Sequence, residues 1–93
     1  MVIGSRIFDL HIPGCRSLKE KRAVIKSLRE RLRSRFNVSV AEIEHQNLWQ
    51  RSTIAVVAVN RNGAYINGVL DKILKLVELE KRVVILNIET EFL

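Results

Sequence analysis

Five basic side chains raise the first question about this sequence. Lys19, Arg22, Lys26, Arg29 and Arg33 recur at alternating intervals of three and four residues, the spacing that brings side chains onto one flank of an α-helix. Over roughly 20 Å of helix such a stripe repels itself, and helix stability alone would favour glutamates interleaved one turn away. Glu20 and Glu30 fall outside the flank. The chemistry that suits the arrangement is electrostatic: phosphates along a polyanion shed condensed counterions when Lys and Arg take their place. The bland alternative is a solvated face that keeps the protein soluble. The charge is also concentrated, since residues 16–35 hold nine basic and two acidic side chains while the other 73 residues hold seven basic and eight acidic. The whole excess of +6 resides in that one segment.

A second cluster, Glu44-His45-Gln46-Asn47-Leu48-Trp49-Gln50-Arg51, gathers the single Trp, one of two His, three side-chain amides and an Arg. His45, Gln46, Asn47 and Arg51 are candidates for reading RNA edges or phosphates, with Trp49 available to stack. The structural alternative makes Leu48 and Trp49 a plug for one end of the core or a dimer contact, and this is the role expected of Trp49.

Catalytic chemistry has little to work with. Asp9 precedes His11 by two residues on one strand face and could orient its imidazole, but such a pair on an antiparallel sheet is ordinarily a surface pair, and no nucleophile stands beside it. Cys15 is the lone cysteine: it has no disulfide partner, no companion at metal-ligand spacing and no local base. Pro13-Gly14-Cys15-Arg16-Ser17 ahead of a helix could hold an anion, yet it lacks the Gly-Val-x-Phe-Arg type of signature found in acylphosphatases. The chain is expected to be no enzyme and to need no metal or cofactor.

The elements that must position these residues follow from periodicity. Phe8, Leu10 and Ile12 alternate with Asp9 and His11 in a strand from Val2 to Ile12, which Pro13-Gly14 ends. Ser17-Leu18-Lys19-Glu20 fits a capping box, in which the Ser17 hydroxyl accepts from the Glu20 N–H and Glu20 reaches back. Leu18, Val24, Ile25, Leu28, Leu32 and Phe36 then mark a helix ending near Asn37. Strands are expected at Val38–Ile43, Thr53–Val59 and Val83–Phe92, and a second helix from the Asn60–Gly63 turn to about Lys81, carrying Ile66, Leu70, Ile73 and Val77 inward.

Ninety-three residues make one domain, residues 1–93. Two right-handed βαβ halves with both helices on one face predict an α+β, ferredoxin-like βαββαβ sandwich with a four-stranded antiparallel sheet in the order 4-1-3-2. The third strand offers Ala55, Val57 and Val59 to one face and Ile54, Val56 and Ala58 to the other, so the uncovered face is expected to be partly apolar and suited to self-association. That strand has no aromatic, which disfavours base stacking on the sheet and moves any RNA contact to the first helix and neighbouring loops. No apolar run is long enough to span a bilayer, and Met1–Arg6 enters a strand directly; no membrane partner and a cytoplasmic location are expected.

Four segments taken in order, Ile12-Pro13-Gly14, Ser17-Leu18-Lys19-Glu20-Lys21-Arg22, Arg35-Phe36-Asn37-Val38-Ser39-Val40-Ala41-Glu42 and His45-Gln46-Asn47-Leu48-Trp49-Gln50-Arg51, resemble the YlxP-like family over nearly the whole chain. Glu44 and Asn47 stand where that family often has Asp. The resemblance implies small bacterial proteins of unknown function with a ferredoxin-like fold, whose genes commonly lie beside those of translation initiation and ribosome maturation factors. The expectation is a non-catalytic RNA- or ribosome-associated accessory protein that binds phosphates through Lys19, Arg22, Lys26, Arg29 and Arg33, with His45, Gln46 and Arg51 as a second contact. The alternative is a homodimeric interaction module using the open sheet face or an edge strand, its basic helix serving solubility or an acidic partner.

Overall fold

Alternation along the first strand sets which way the sheet faces. In β1 (Val2–His11) the side chains of Arg6, Phe8 and Leu10 are buried together with Gly4, while the residues between them are half-covered, the signature of a strand with one face on a core. The computed structural model describes residues 1–93, and β1 is followed by α1 (Leu18–Arg35), β2 (Ser39–Glu44), β3 (Arg51–Asn60), α2 (Gly63–Leu79) and β4 (Val84–Phe92). The strands form one antiparallel sheet in the order β2-β3-β1-β4, the ferredoxin-like arrangement expected from the sequence. Phe8 and Leu10 lie opposite Ile54 and Ser52 of β3. Against them pack Ile25, Leu28 and Leu32 of α1 and Ile66, Leu70, Ile73 and Val77 of α2. Both helices cover this one face; Ile43, Val57 and Val59 stay exposed on the other.

Gly4 is required by close approach, since a Cβ there would run into Ile66 Cγ2 of α2 and the Phe92 ring. Arg6, deep on the helix side, donates from Nη1 to Asp71 of α2 at 3.1 Å and from Nε to Thr90 of β4 at 2.9 Å, tying three elements with one guanidinium.

Several boundaries differ from the sequence reading, each for a local reason. The Ser17 hydroxyl accepts from the Glu20 N–H at 3.1 Å as expected, but Glu20 reaches back to the N–H of Arg16, not of Ser17, so the capping box closes one residue early. Strand β2 begins at Ser39 because the Val38 N–H turns back to Phe36 O. Helix α2 stops at Leu79, short of Lys81: the Glu80 N–H goes to Val77 O and its carboxylate is held by Arg82 and Arg31.

Glu80 is buried at this helix end, with Oε1 accepting from Arg82 Nη2 at 2.6 Å and Arg31 Nη2 at 2.7 Å. The Arg82 hydrogen bond, working against burial, lowers its pKa from 4.5 to about 2, and Arg82 is itself raised by the same bond. A carboxylate depressed in the folded state stabilises the fold above its ordinary pKa and loses that contribution as pH falls through its folded pKa. Because Arg82 is half exposed, screening brings the effect to the order of 1–2 kcal/mol. Urea titrations should find Glu80→Gln less stable than the parent at pH 7, with the gap closing as pH drops from 4.5 towards about 2. A gap that stays constant across that window would contradict the assignment.

Candidate nucleic-acid interface

The site is built on a lysine that the charge pattern hides. Lys21 occupies the inward row of α1, one turn before Ile25 and two before Leu28, and its side chain is wholly buried. Such an ammonium must find acceptors to remain charged in the interior. Lys21 Nζ donates to the backbone carbonyls of His45 at 2.5 Å and of Gln46 and Arg51 at 3.1 Å each, and pairs with Glu42 Oε2 at 3.0 Å. The same Glu42 oxygen accepts from Ser52 Oγ at 2.6 Å. One side chain of α1 thereby holds both ends of the β2–β3 connection and the edge strand β2. His45 takes a left-handed backbone (φ 62°), a conformation costing a non-glycine residue of order 1–2 kcal/mol, and its carbonyl is one of the groups that Lys21 fixes.

Helix α1 carries its cations along the side facing β2. Arg22, Lys26, Arg29 and Arg33 line a groove of about 360 Å³ together with Ile25, Glu30 and Glu42. Lys19 is exposed one turn N-terminal of that lining. The stripe is less bare than the sequence suggests: Lys26 lies 3.9 Å from Glu30, an exposed pair of little energetic weight, and Glu42 sits on the groove wall. Arg33 Nη2 donates to Val40 O of β2 at 2.9 Å, clamping the helix end to the edge strand. Of the remaining cations of residues 16–35, Lys21 is spent inside and Arg31 on Glu80. Four of the five stripe residues, Arg22, Lys26, Arg29 and Arg33, are brought together along one groove.

The connection between β2 and β3 places its residues differently from the expectation. Arg51 is not a free donor: its guanidinium donates from Nη2 to both oxygens of Asp9 at 2.8–2.9 Å on the uncovered sheet face. His45 is half-buried with Nε2 4.0 Å from Glu44, while Gln46 and Asn47 are exposed. Trp49 does not plug the core, being 52% exposed, and Leu48 beside it is 49% exposed. The backbone beneath them is pinned, because Leu48 N–H donates to His45 O, Ile12 N–H to Gln50 O, and Gln50 Nε2 to Cys15 O. Asp9 serves Arg51, not the imidazole of His11, whose Nδ1 lies 3.0 Å from Gln50 O. Cys15 is buried, its thiol directed at Ser17 O. No cluster of His, Cys, Asp and Glu suited to a metal ion occurs, and no helix is long and apolar enough to cross a membrane.

Residues 3–90 match a family described as protein of unknown function, DUF503. This chain belongs to that family. The DUF503 chain is 39% identical over 62 residues, 67% of each chain, to the uncharacterized protein YlxP of Bacillus subtilis (strain 168), in keeping with the resemblance read from the sequence. Among solved structures it is similar to the de novo designed protein Foldit4, at 12% identity and a TM-score of 0.57 over 100% of this chain and 97% of that one, a likeness of fold alone. A dimeric ferredoxin-like protein from an uncultured marine organism aligns over 98% of this chain and 84% of its own at 19% identity and a TM-score of 0.45.

Removing one partner of a buried, hydrogen-bonded charge costs about 3–5 kcal/mol, because the groups left behind stay desolvated. Lys21→Met should lose stability of that order in urea and release the Leu48 amide to fast hydrogen exchange. A loss below about 1 kcal/mol with Leu48 still protected would show that Lys21 does not hold the connection.

Proposed function

We propose that the chain is a non-catalytic, RNA- or ribosome-associated accessory protein that takes phosphate groups along the groove between α1 and β2. The observation that carries this reading is the alignment of Arg22, Lys26, Arg29 and Arg33 along one groove, with Lys19 extending the row. The two carboxylates on the groove, one paired with Lys21 and one with Lys26, leave the positive excess in place. If all five cations meet phosphates, log K against log salt slopes at about −3.5 for a single strand and about −4.5 for a duplex of B-form charge density. Arg22→Gln/Lys26→Gln/Arg29→Gln, which keeps the Arg33 clamp, is expected to flatten the single-strand slope by about 2 and weaken binding uniformly across sequences. An unchanged slope in a folded variant, measured by fluorescence anisotropy, would remove the reading.

The uncovered sheet face favours a second, compatible reading as a homodimer. Val57 and Val59 of β3 and Ile43 of β2 are exposed there, Asp9 and Arg51 neutralise each other at one end of the two central strands, and carboxylates occur at its β4 edge as Glu89 and Glu91, opposite Ile7 and Ser5. The β2 edge presents Ser39, Ala41 and Ile43, with Glu44 at its end. A two-fold axis along the strands sets each β4 edge over the partner's β2 edge, where Ser39 and Ala41 are neutral and Glu44 is the one carboxylate to meet it. Sedimentation at low micromolar concentration should give a dimer that Val57→Asp/Val59→Asp converts to monomer; a monomeric parent at ten times that concentration would contradict it.

A further inference from the structure

We infer that Trp49 is a stacking platform for an unpaired nucleobase, which makes single-stranded RNA, and not duplex, the ligand of the α1 groove; this rests on the reading that the groove takes phosphates. The indole is half exposed and lies outside the core cluster, so burial does not explain its position. It is displayed from a backbone that does not need ordering. Lys21 holds His45, Gln46 and Arg51 by their carbonyls, and Gln50, the next residue, is fastened both by Ile12 N–H and through its own side chain to Cys15 O. A rigid aromatic on a fixed support loses little conformational entropy when a base stacks on it.

The same lysine links the platform to the phosphate groove. Lys21 is flanked in α1 by Arg22, and its ion-pair partner Glu42 is on the groove wall, so the groove begins where the Trp49 support is anchored. A strand that continues from the cations past Arg22 reaches the connection that carries Trp49. In an A-form duplex the base faces are stacked inside and the major groove is too deep and narrow for side chains. An indole on a surface connection can stack only on a base that is unpaired. Stacking of this kind is sequence-tolerant, since every base has a π-face. Tyr65, also exposed, sits at the start of α2, at the opposite end of the sheet, where Asn60 pairs with Val2, and serves as a control.

Trp49 is the chain's single tryptophan, so its fluorescence reports this position alone. Three probes separate the contributions: an unstructured RNA of about 12 nucleotides, within the usual span of single-strand sites, the same RNA annealed to its complement, and inorganic polyphosphate, which has charge but no bases. Single-stranded RNA is expected to quench Trp49 and to bind more tightly than the duplex, while polyphosphate binds without quenching. Trp49→Ala should weaken single-strand binding about ten-fold or more without affecting polyphosphate, Trp49→Tyr should recover most of the loss, and Tyr65→Ala should behave as the parent. Equal affinity of Trp49→Ala and the parent for single strands, or a preference for duplex, overturns the platform while leaving the phosphate reading intact. Failure of all three probes to bind overturns both.

Discussion

A buried ammonium organises one end of this molecule. Lys21 lies in the inward row of α1 and cannot stay charged in the interior without acceptors; the carbonyls of His45, Gln46 and Arg51 and the Glu42 carboxylate provide them. Satisfying one side chain thus dictates where β2 runs against α1, how the connection to β3 folds, and the left-handed backbone at His45. A hydrophobic residue at position 21 would fill the same core position but would leave Glu42 and the three carbonyls without their donor and the connection free. Against apolar replacement of both partners a buried ion pair contributes little net stability, so the value of this one is positional: it fixes the polar surface next to the cationic groove.

The cations of α1 divide by the element they face. Those pointing at neighbouring elements are used in the fold, with Lys21 on β2 and its connection, Arg31 on Glu80 beyond α2, and Arg33 partly on the β2 edge. Those along the groove, Arg22, Lys26 and Arg29, have only the exposed Glu30 and the engaged Glu42 nearby. Net charge counts both groups alike, although only the second is available to a partner. The polar connection divides in the same way: Arg51 is spent on Asp9, while Gln46, Asn47, Leu48 and Trp49 stay exposed above a fixed backbone.

Periodicity made the elements and their order readable, because alternation in β1 and the three-and-four spacing of α1 report burial directly. The stripe was readable for the same reason. Lys21 was readable in principle, since it shares the inward row with Ile25, Leu28 and Leu32, and Glu42 likewise follows Val40 on the helix-facing side of β2; a lysine and a glutamate at core positions call for each other. What hid them was their separation along the chain and the rarity of a fully buried lysine. The pairing of Asp9 was not readable from its neighbourhood. Two residues along a strand lie farther apart than neighbours across it, and Arg51 reaches Asp9 diagonally from the position opposite His11. The exposure of Trp49 was not readable for the same reason, since the backbone around it is held by Lys21 from far along the chain.

The claim that one lysine-anchored surface joins a phosphate groove to a stacking aromatic is tested most directly by amide and indole NMR during titration with a short unstructured RNA. The account predicts that the shifts which move map to Arg22, Lys26 and Arg29 on α1 and to the Trp49 indole N–H, together and with one affinity, while the uncovered face around Val57 stays unchanged. Movement confined to that sheet face, or a Trp49 indole that does not respond while the α1 amides do, would contradict it.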